Sequence, residues 1–159
     1  MNQPIDDDVS DLPLDSWDDD SASATPDQLK VLIVDDDEMM LRLVGRALSG
    51  LGFTQVYLAE NGAEGLATAE RETPHIIISD YYMPGMHGLE LVEAIRSNAA
   101  LDQTVIIMLS AADDQVVIEN ARNLGADTFL VKPFERADLK HLIANLYHRF
   151  NCAHIAWPE

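Results

Sequence analysis

Two hydrophobic rhythms alternate from Leu29 onwards. Short, mostly apolar runs recur at Lys30–Val34, Thr54–Leu58, Ile76–Ser79, Val105–Leu109 and Thr128–Val131. Such runs are too short for helices, several are rich in Val and Ile, and they read as strands. Ile76-Ile77-Ile78 and Val105-Ile106-Ile107-Met108-Leu109 leave no polar face, so these strands are expected to be buried on both sides. Between the runs, apolar positions return every three or four residues, the period of an amphipathic helix. The first such stretch, about Met39–Leu51, carries Met40, Leu41, Val44, Ala47, Leu48 and Leu51, and Gly52 is its stop. Others follow at about Ala63–Glu72, between Asn61-Gly62 and Pro74, then at Gly88–Ser97, at Asp114–Leu124 ahead of Gly125, and at Arg136–Phe150. Five strands alternating with five helices predict an α/β fold, a doubly wound five-stranded parallel sheet covered on both faces. Residues 29–150 form that domain, and 151–159 are left as a short C-terminal extension.

Residues 1–28 follow neither rhythm. They hold nine aspartates and no Lys or Arg. An acidic tail of this kind buries too little apolar surface to offset chain entropy, so disorder is expected over 1–28. Ile5, Val9, Leu12, Leu14 and Trp17 nevertheless punctuate the acids, a pattern that suits a short motif docking on a partner or on the folded domain. The whole chain has a net charge of −18, and after the tail's nine acids 19 remain against ten bases. No direct nucleic-acid binding is expected, because phosphate backbones need a basic patch. No membrane insertion is expected either, since no apolar stretch approaches the ~20 residues of a spanning helix. The N-terminus lacks the basic-then-apolar order of a signal peptide. A lone cysteine, Cys152, forms no internal disulfide, so a reducing cytoplasmic location is the expectation.

Chemistry enters at the strand ends. The first strand runs into Asp35, Asp36 and Asp37, the third ends at Asp80, the fourth at Ser110 and the fifth at Lys132. In a parallel sheet the carboxyl ends of the strands share one edge, where ligands bind. Several carboxylates, a hydroxyl and an ammonium brought to one place suit a divalent cation and a phosphoryl group. Mg2+ (or Mn2+) fits a site with few carboxylates and several waters. Asp37 reads as a solvated or helix N-terminal acid. The five histidines show no metal-ligand spacing.

The run Ser79-Asp80-Tyr81-Tyr82-Met83-Pro84-Gly85-Met86-His87-Gly88 is more specific. Together with the aspartates after the first strand, Ser110 and Lys132-Pro133-Phe134, it resembles the receiver domain of bacterial two-component response regulators. The resemblance spans about residues 29–150. It implies a flavodoxin-like sheet with strand order 2-1-3-4-5. It also implies that Asp80 is the phosphoacceptor. Asp36 and Asp80 would hold the metal directly with the Tyr82 backbone carbonyl, and Asp35 mainly through water. Lys132 would meet the phosphoryl oxygens and Ser110 would donate a hydrogen bond to them. In the family the Lys–Pro bond is cis, so Pro133 is implied to position Lys132. Phe129 corresponds to the aromatic residue that switches with Ser110, and the face of the fourth helix, fifth strand and fifth helix then meets a protein target. Tyr82 and Ala112 stand where phosphoryl lifetime is tuned, and the Tyr82 ring is expected to shield the acyl phosphate from water.

The resemblance implies a stand-alone response regulator, phosphorylated by a histidine kinase or histidine phosphotransfer protein. It would switch protein–protein binding or shuttle phosphate in a phosphorelay. By the same resemblance it would be a phosphoryl acceptor and not an enzyme in the usual sense, although family receivers catalyse their own phosphorylation and dephosphorylation. The residues outside 29–150 are too few for a DNA-binding or catalytic output domain. Two alternatives stay open: a receiver fragment of a longer regulator, and a phosphatase of the haloacid dehalogenase type. The latter would use Asp35-Asp36-Asp37, Ser110 and Lys132 but leaves the Asp80 motif unexplained.

Overall fold

Alternate residues of the central strands enter two different cores. Val31 and Ile33, Ile76 and Ile78, and Val105, Ile107 and Leu109 belong to one, whereas Leu32 and Val34, Ile77, and Ile106 and Met108 belong to the other. A strand's two-residue period allows this only when both sheet faces are covered. The computed structural model describes residues 23–81, 83, 85, 86, 88–110, 115–132, 134–151 and 154–158. Its central elements are β1 (Lys30–Val34), α1 (Glu38–Gly50), β2 (Gln55–Ala59), α2 (Gly62–Glu72), β3 (Ile76–Asp80), α3 (Gly88–Arg96), β4 (Val105–Ser110), α4 (Gln115–Leu124), β5 (Thr128–Val131) and α5 (Arg136–Asn151). All sheet pairs are parallel, in the order β2-β1-β3-β4-β5. The predicted five strands, five helices and 2-1-3-4-5 order are therefore observed.

One core lies under α1 and α5, where Leu41, Val44, Leu48, Leu139, Ile143 and Leu146 meet the sheet. The other lies under α2, α3 and α4, with Ala69, Leu91, Val92, Ile95 and Ala121. Truncating a buried Leu or Ile in either would cost about 2–5 kcal/mol, transfer plus cavity. Gly52 (φ 106°) and Gly125 (φ 118°) turn the chain just after α1 and α4, a conformation that favours glycine.

The ends of the chain depart from expectation. Residues 23–28, expected within a disordered tail, are ordered: Ser23–Ala24 is a strand and Pro26–Gln28 a 3-10 turn. The extension after α5 is not left over, because His154–Ile155 pairs in parallel with Ser23–Ala24. Ala156 N–H adds a bond to the Ala24 carbonyl at 2.7 Å. The side chains secure this clasp. Pro26 is buried, Ile155 enters the α1/α5 core, and Trp157 stands edge-on to Phe53 with ring centroids 5.9 Å apart. Residues 1–22 lie outside the described residues.

His75 stitches the amino-terminal edge of the sheet. Its N–H donates to the Lys30 carbonyl, its Nδ1 accepts the Lys30 N–H at 3.0 Å, and its carbonyl accepts from Val105. Burial, and then the Lys30 charge, lower its pKa. The unfolded chain then binds the proton more tightly, so the contribution is fully present above the unfolded pKa of about 6.5 and is lost as pH falls from there through the lower folded value. Urea unfolding at pH 7.5 and 5.5 should show the wild type losing its advantage over His75→Gln at the lower pH. A difference that does not change with pH would reject this role for His75.

Candidate functional site

Register brings the four polar strand ends to one edge. Val34 pairs with Ser79, Asp80 with Leu109, and Ser110 with Val131. The chain leaves each strand still bonded to its neighbour. Asp35 N–H donates to the Ala59 carbonyl at 3.0 Å, Tyr81 N–H to Leu109 at 3.1 Å, and Lys132 N–H to Ser110 at 2.7 Å. These bonds fix the backbone from which Asp35, Asp80 and Lys132 project. Asp37 does not join them; it is the N-cap of α1, its Oδ1 accepting the Met39 N–H.

Asp35, Asp36 and Asp80 each offer a carboxylate oxygen within 4.8 Å of the others, and they are the one such cluster of metal-ligating groups among the described residues. Lys132 Nζ stands 3.1 Å from Asp80 Oδ1 and 4.0 Å from Asp35 Oδ2. Asp35 is only 1% exposed. Its Oδ1 accepts the Asp37 N–H at 2.9 Å, but its Oδ2 is buried and accepts no hydrogen bond among the described residues. Burial first, and then the charges of Asp80 and Asp36, push the Asp35 carboxyl up to about 6 against the lowering effects of the Asp37 N–H and Lys132. Asp80 is raised by burial and, less, by Asp36, while Lys132 opposes the rise with its hydrogen bond and its charge. One ammonium among three carboxylates leaves an excess of negative charge. The orphaned Asp35 oxygen and the all-oxygen donor set suit a small hard cation.

Ser110 is buried at the end of β4. Phe129 is half-buried on the α2–α4 side, opposite Met108 and two residues before the Val131 that pairs with Ser110. Tyr82, Ala112 and Pro133 lie outside the described residues. Gly88, the last residue of the Asp80 run and the expected start of the third helix, controls the approach of α3. A Cβ there would meet the Asp80 carbonyl oxygen at 2.5 Å and Tyr81 Cα at 3.0 Å, both backbone atoms. A glycine opening a helix directly after the Asp80 loop is the signal that could have marked it.

The chain matches the family described as "Response regulator receiver domain" over residues 31–144. It is 35% identical over 121 residues to the probable chemotaxis protein CheY of Rhizobium etli, covering 76% of this chain and 94% of that protein. Among solved structures, the chemotaxis protein CheY4 of Vibrio cholerae aligns with a TM-score of 0.70 and 34% identity, over 79% of this chain and 99% of that one. The receiver domain of the sensor histidine kinase PA1611 from Pseudomonas aeruginosa aligns with a TM-score of 0.68 and 28% identity, over 77% of this chain and 96% of that one. That structure holds a magnesium ion coordinated in its active-site cleft.

The cluster predicts a metal-linked stability. At a Mg2+ concentration ten times the dissociation constant, the wild type should gain about 1.4 kcal/mol in urea unfolding, and Asp36→Asn and Asp80→Asn should gain much less. Asp35 is raised above its unfolded value, so its stabilising contribution is full below about 3.8 and lost as pH rises through about 6. In EDTA at pH 7.5, Asp35→Asn should therefore stabilise the fold by about 1–3 kcal/mol, an advantage that fades towards pH 4. Equal Mg2+ gains in wild type and variants would remove the cluster as the binding site.

Proposed function

The chain belongs to the response regulator receiver family of two-component signalling, and from that footing we propose that Asp80 accepts a phosphoryl group from a histidine kinase or histidine phosphotransfer protein. The observation that carries this reading is the Lys132 ammonium, 3.1 Å from the Asp80 carboxylate at the point where Asp35 and Asp36 converge. An Asp80 oxygen attacks phosphorus, the P–N bond of a phosphohistidine breaks, and the departing imidazole keeps the bonding pair and takes up a proton. The product is an acyl phosphate. Phosphoryl transfer needs positioning and charge neutralisation more than covalent help. Lys132 draws the phosphoryl oxygens and Ser110 donates a hydrogen bond to them. Asp36 and Asp80 with the Tyr82 backbone carbonyl, and Asp35 mainly through water, would hold Mg2+ (or Mn2+), which would supply the remaining positive charge. The magnesium in the PA1611 receiver supports this choice.

Once Asp80 carries phosphate, Ser110 moves towards it and Phe129 turns into the space released. Phe129 has no hydroxyl, so the size of this shift is set by its packing in the two states. The altered face of α4, β5 and α5 then binds a protein target, or the phosphate passes on in a relay. Pro133 orients Lys132. Tyr82 and Ala112 set the lifetime of the acyl phosphate. The protein acts in the cytoplasm, as an acceptor of phosphate and not as a turnover enzyme. The phosphatase alternative, with Asp35 as nucleophile, leaves the Asp80–Lys132 pairing without a purpose.

Incubation with Mg2+ and acetyl phosphate should add one phosphoryl group by intact mass, and peptide mapping should locate it on Asp80. Asp80→Asn should take up none, whereas Lys132→Ala should phosphorylate about 10²-fold more slowly, the cost of losing one charge-stabilising donor. Phosphate on Asp35 would reverse the assignment. Tyr82→Asn should shorten the lifetime of the acyl phosphate in unaided decay, and an equal or longer lifetime would reject shielding by the ring.

A further inference from the structure

The clasp carries a groove of unlike charge to the rest of the chain. A depression of about 490 Å³ is lined by Gly50 and Leu51 at the end of α1, by Glu135, Arg136, Ala137 and Lys140 at the start of α5, and by Trp157 and Pro158. Acids outnumber bases 28 to 10 in this protein. Lys30, Arg42, Arg71, Arg96 and Lys132 each lie within ion-pair distance of a carboxylate. Arg46, Arg122, Arg136 and Lys140 have no such partner among the described residues, and the last two line this groove. Arg136 instead lies across Gly50 at the carboxyl end of α1, and Lys140 rests 5.3 Å above the centre of the Trp157 ring. These contacts with a helix end and an aromatic face leave each cation able to accept an anion. Glu135 is the one acid on the lining.

The groove offers two cations beside an indole and the apolar Leu51, Ala137 and Pro158. That suits an acidic peptide with large apolar side chains. Such a peptide is covalently attached at the clasp. Residues 1–22 hold eight aspartates, no base, and Leu12, Leu14 and Trp17 next to Asp15, Asp18, Asp19 and Asp20. They join the fold at Ser23, whose neighbour Ala24 accepts the N–H of Ala156, the residue before Trp157. Asp18 is five residues from Ser23, a reach of about 17 Å when extended. A tether this short supplies an effective concentration of about millimolar, so weak contacts suffice.

We infer that the acidic N-terminal segment docks in the α1–α5 groove of its own chain, with Asp18–Asp20 facing Arg136 and Lys140 and the Leu14–Trp17 region against Trp157 and Leu51. The groove lining shares no residue with the Asp80 cluster, so docking does not require phosphate on Asp80. The test uses the full chain in a Cys152→Ser background with a nitroxide on Ser16→Cys. In 15N spectra at low salt, the amides of Leu51, Ala137 and Lys140 and the Trp157 indole should lose roughly half their intensity or more, as expected for a site filled at millimolar effective concentration. The loss should be reversed in Arg136→Glu/Lys140→Glu, and equally in Asp18→Asn/Asp19→Asn/Asp20→Asn, which leaves the folded domain untouched. High salt should weaken it as well. Broadening that survives both charge changes would reflect the tether alone and would overturn the proposal, as would no broadening at the groove. Broadening between spin-labelled and separately 15N-labelled chains would assign the groove to the segment of a second copy, which also overturns it.

Discussion

Three carboxylates share one edge of a sheet that cannot move them apart. Parallel pairing fixes where β1 and β3 end, and the bonds from Asp35 to Ala59 and from Tyr81 to Leu109 hold the chain beyond those ends. Asp35 is thus buried with two carboxylates close by and, among the described residues, one ammonium in reach. An isolated buried carboxylate would neutralise itself by taking a proton, and the upward push on Asp35 and Asp80 is that tendency. The two apolar cores supply the stability that holds this arrangement against its own repulsion. Function and stability therefore pull in opposite directions at this edge, as they commonly do at binding sites.

The parts of this structure that could be read from residues alone are those with a strong local period. β1 and β5 begin and end where their apolar runs do, and the other central elements differ from the expected bounds by one or two residues. Ile76-Ile77-Ile78 is legible because burial on both faces removes every polar position. The candidate site was legible for a related reason: an apolar strand that stops at a charge puts that charge at the carboxyl edge. Asp35, Asp36, Asp80, Ser110 and Lys132 all reach that edge on this rule.

The clasp was illegible because two-residue strands have no period and their partners lie some 130 residues away in sequence. Its side-chain contacts are equally non-local: Trp157 meets Phe53, and Lys140 meets Trp157. The first 28 residues share one acidic composition, yet Pro26 is buried and Ala24 packs against the α1/α5 core, beside a C-terminal strand that no local pattern announces. The role of Gly88 also lies outside any periodic signal, because it depends on how closely a helix passes the backbone of Asp80.

The start of α5 brings the two ends of this logic together. Lys132 stands at the carboxylate edge, and Arg136, four residues on, stands in the groove beside Trp157. Only Pro133, Phe134 and Glu135 separate them, and Phe134 packs on the α1/α5 core. A shift of Lys132 towards a phosphoryl group therefore bears on the first turn of α5, while an acidic segment in the groove bears on the same turn from the other side. Coupling between two such events is reciprocal in free energy. If phosphate on Asp80 loosens the segment, the docked segment opposes phosphorylation by the same factor; if the first turn of α5 keeps one position throughout, the factor is one. The size of this coupling rests on the packing of Phe134 and on the negative charge that a phosphoryl group adds on the Lys132 side of that turn.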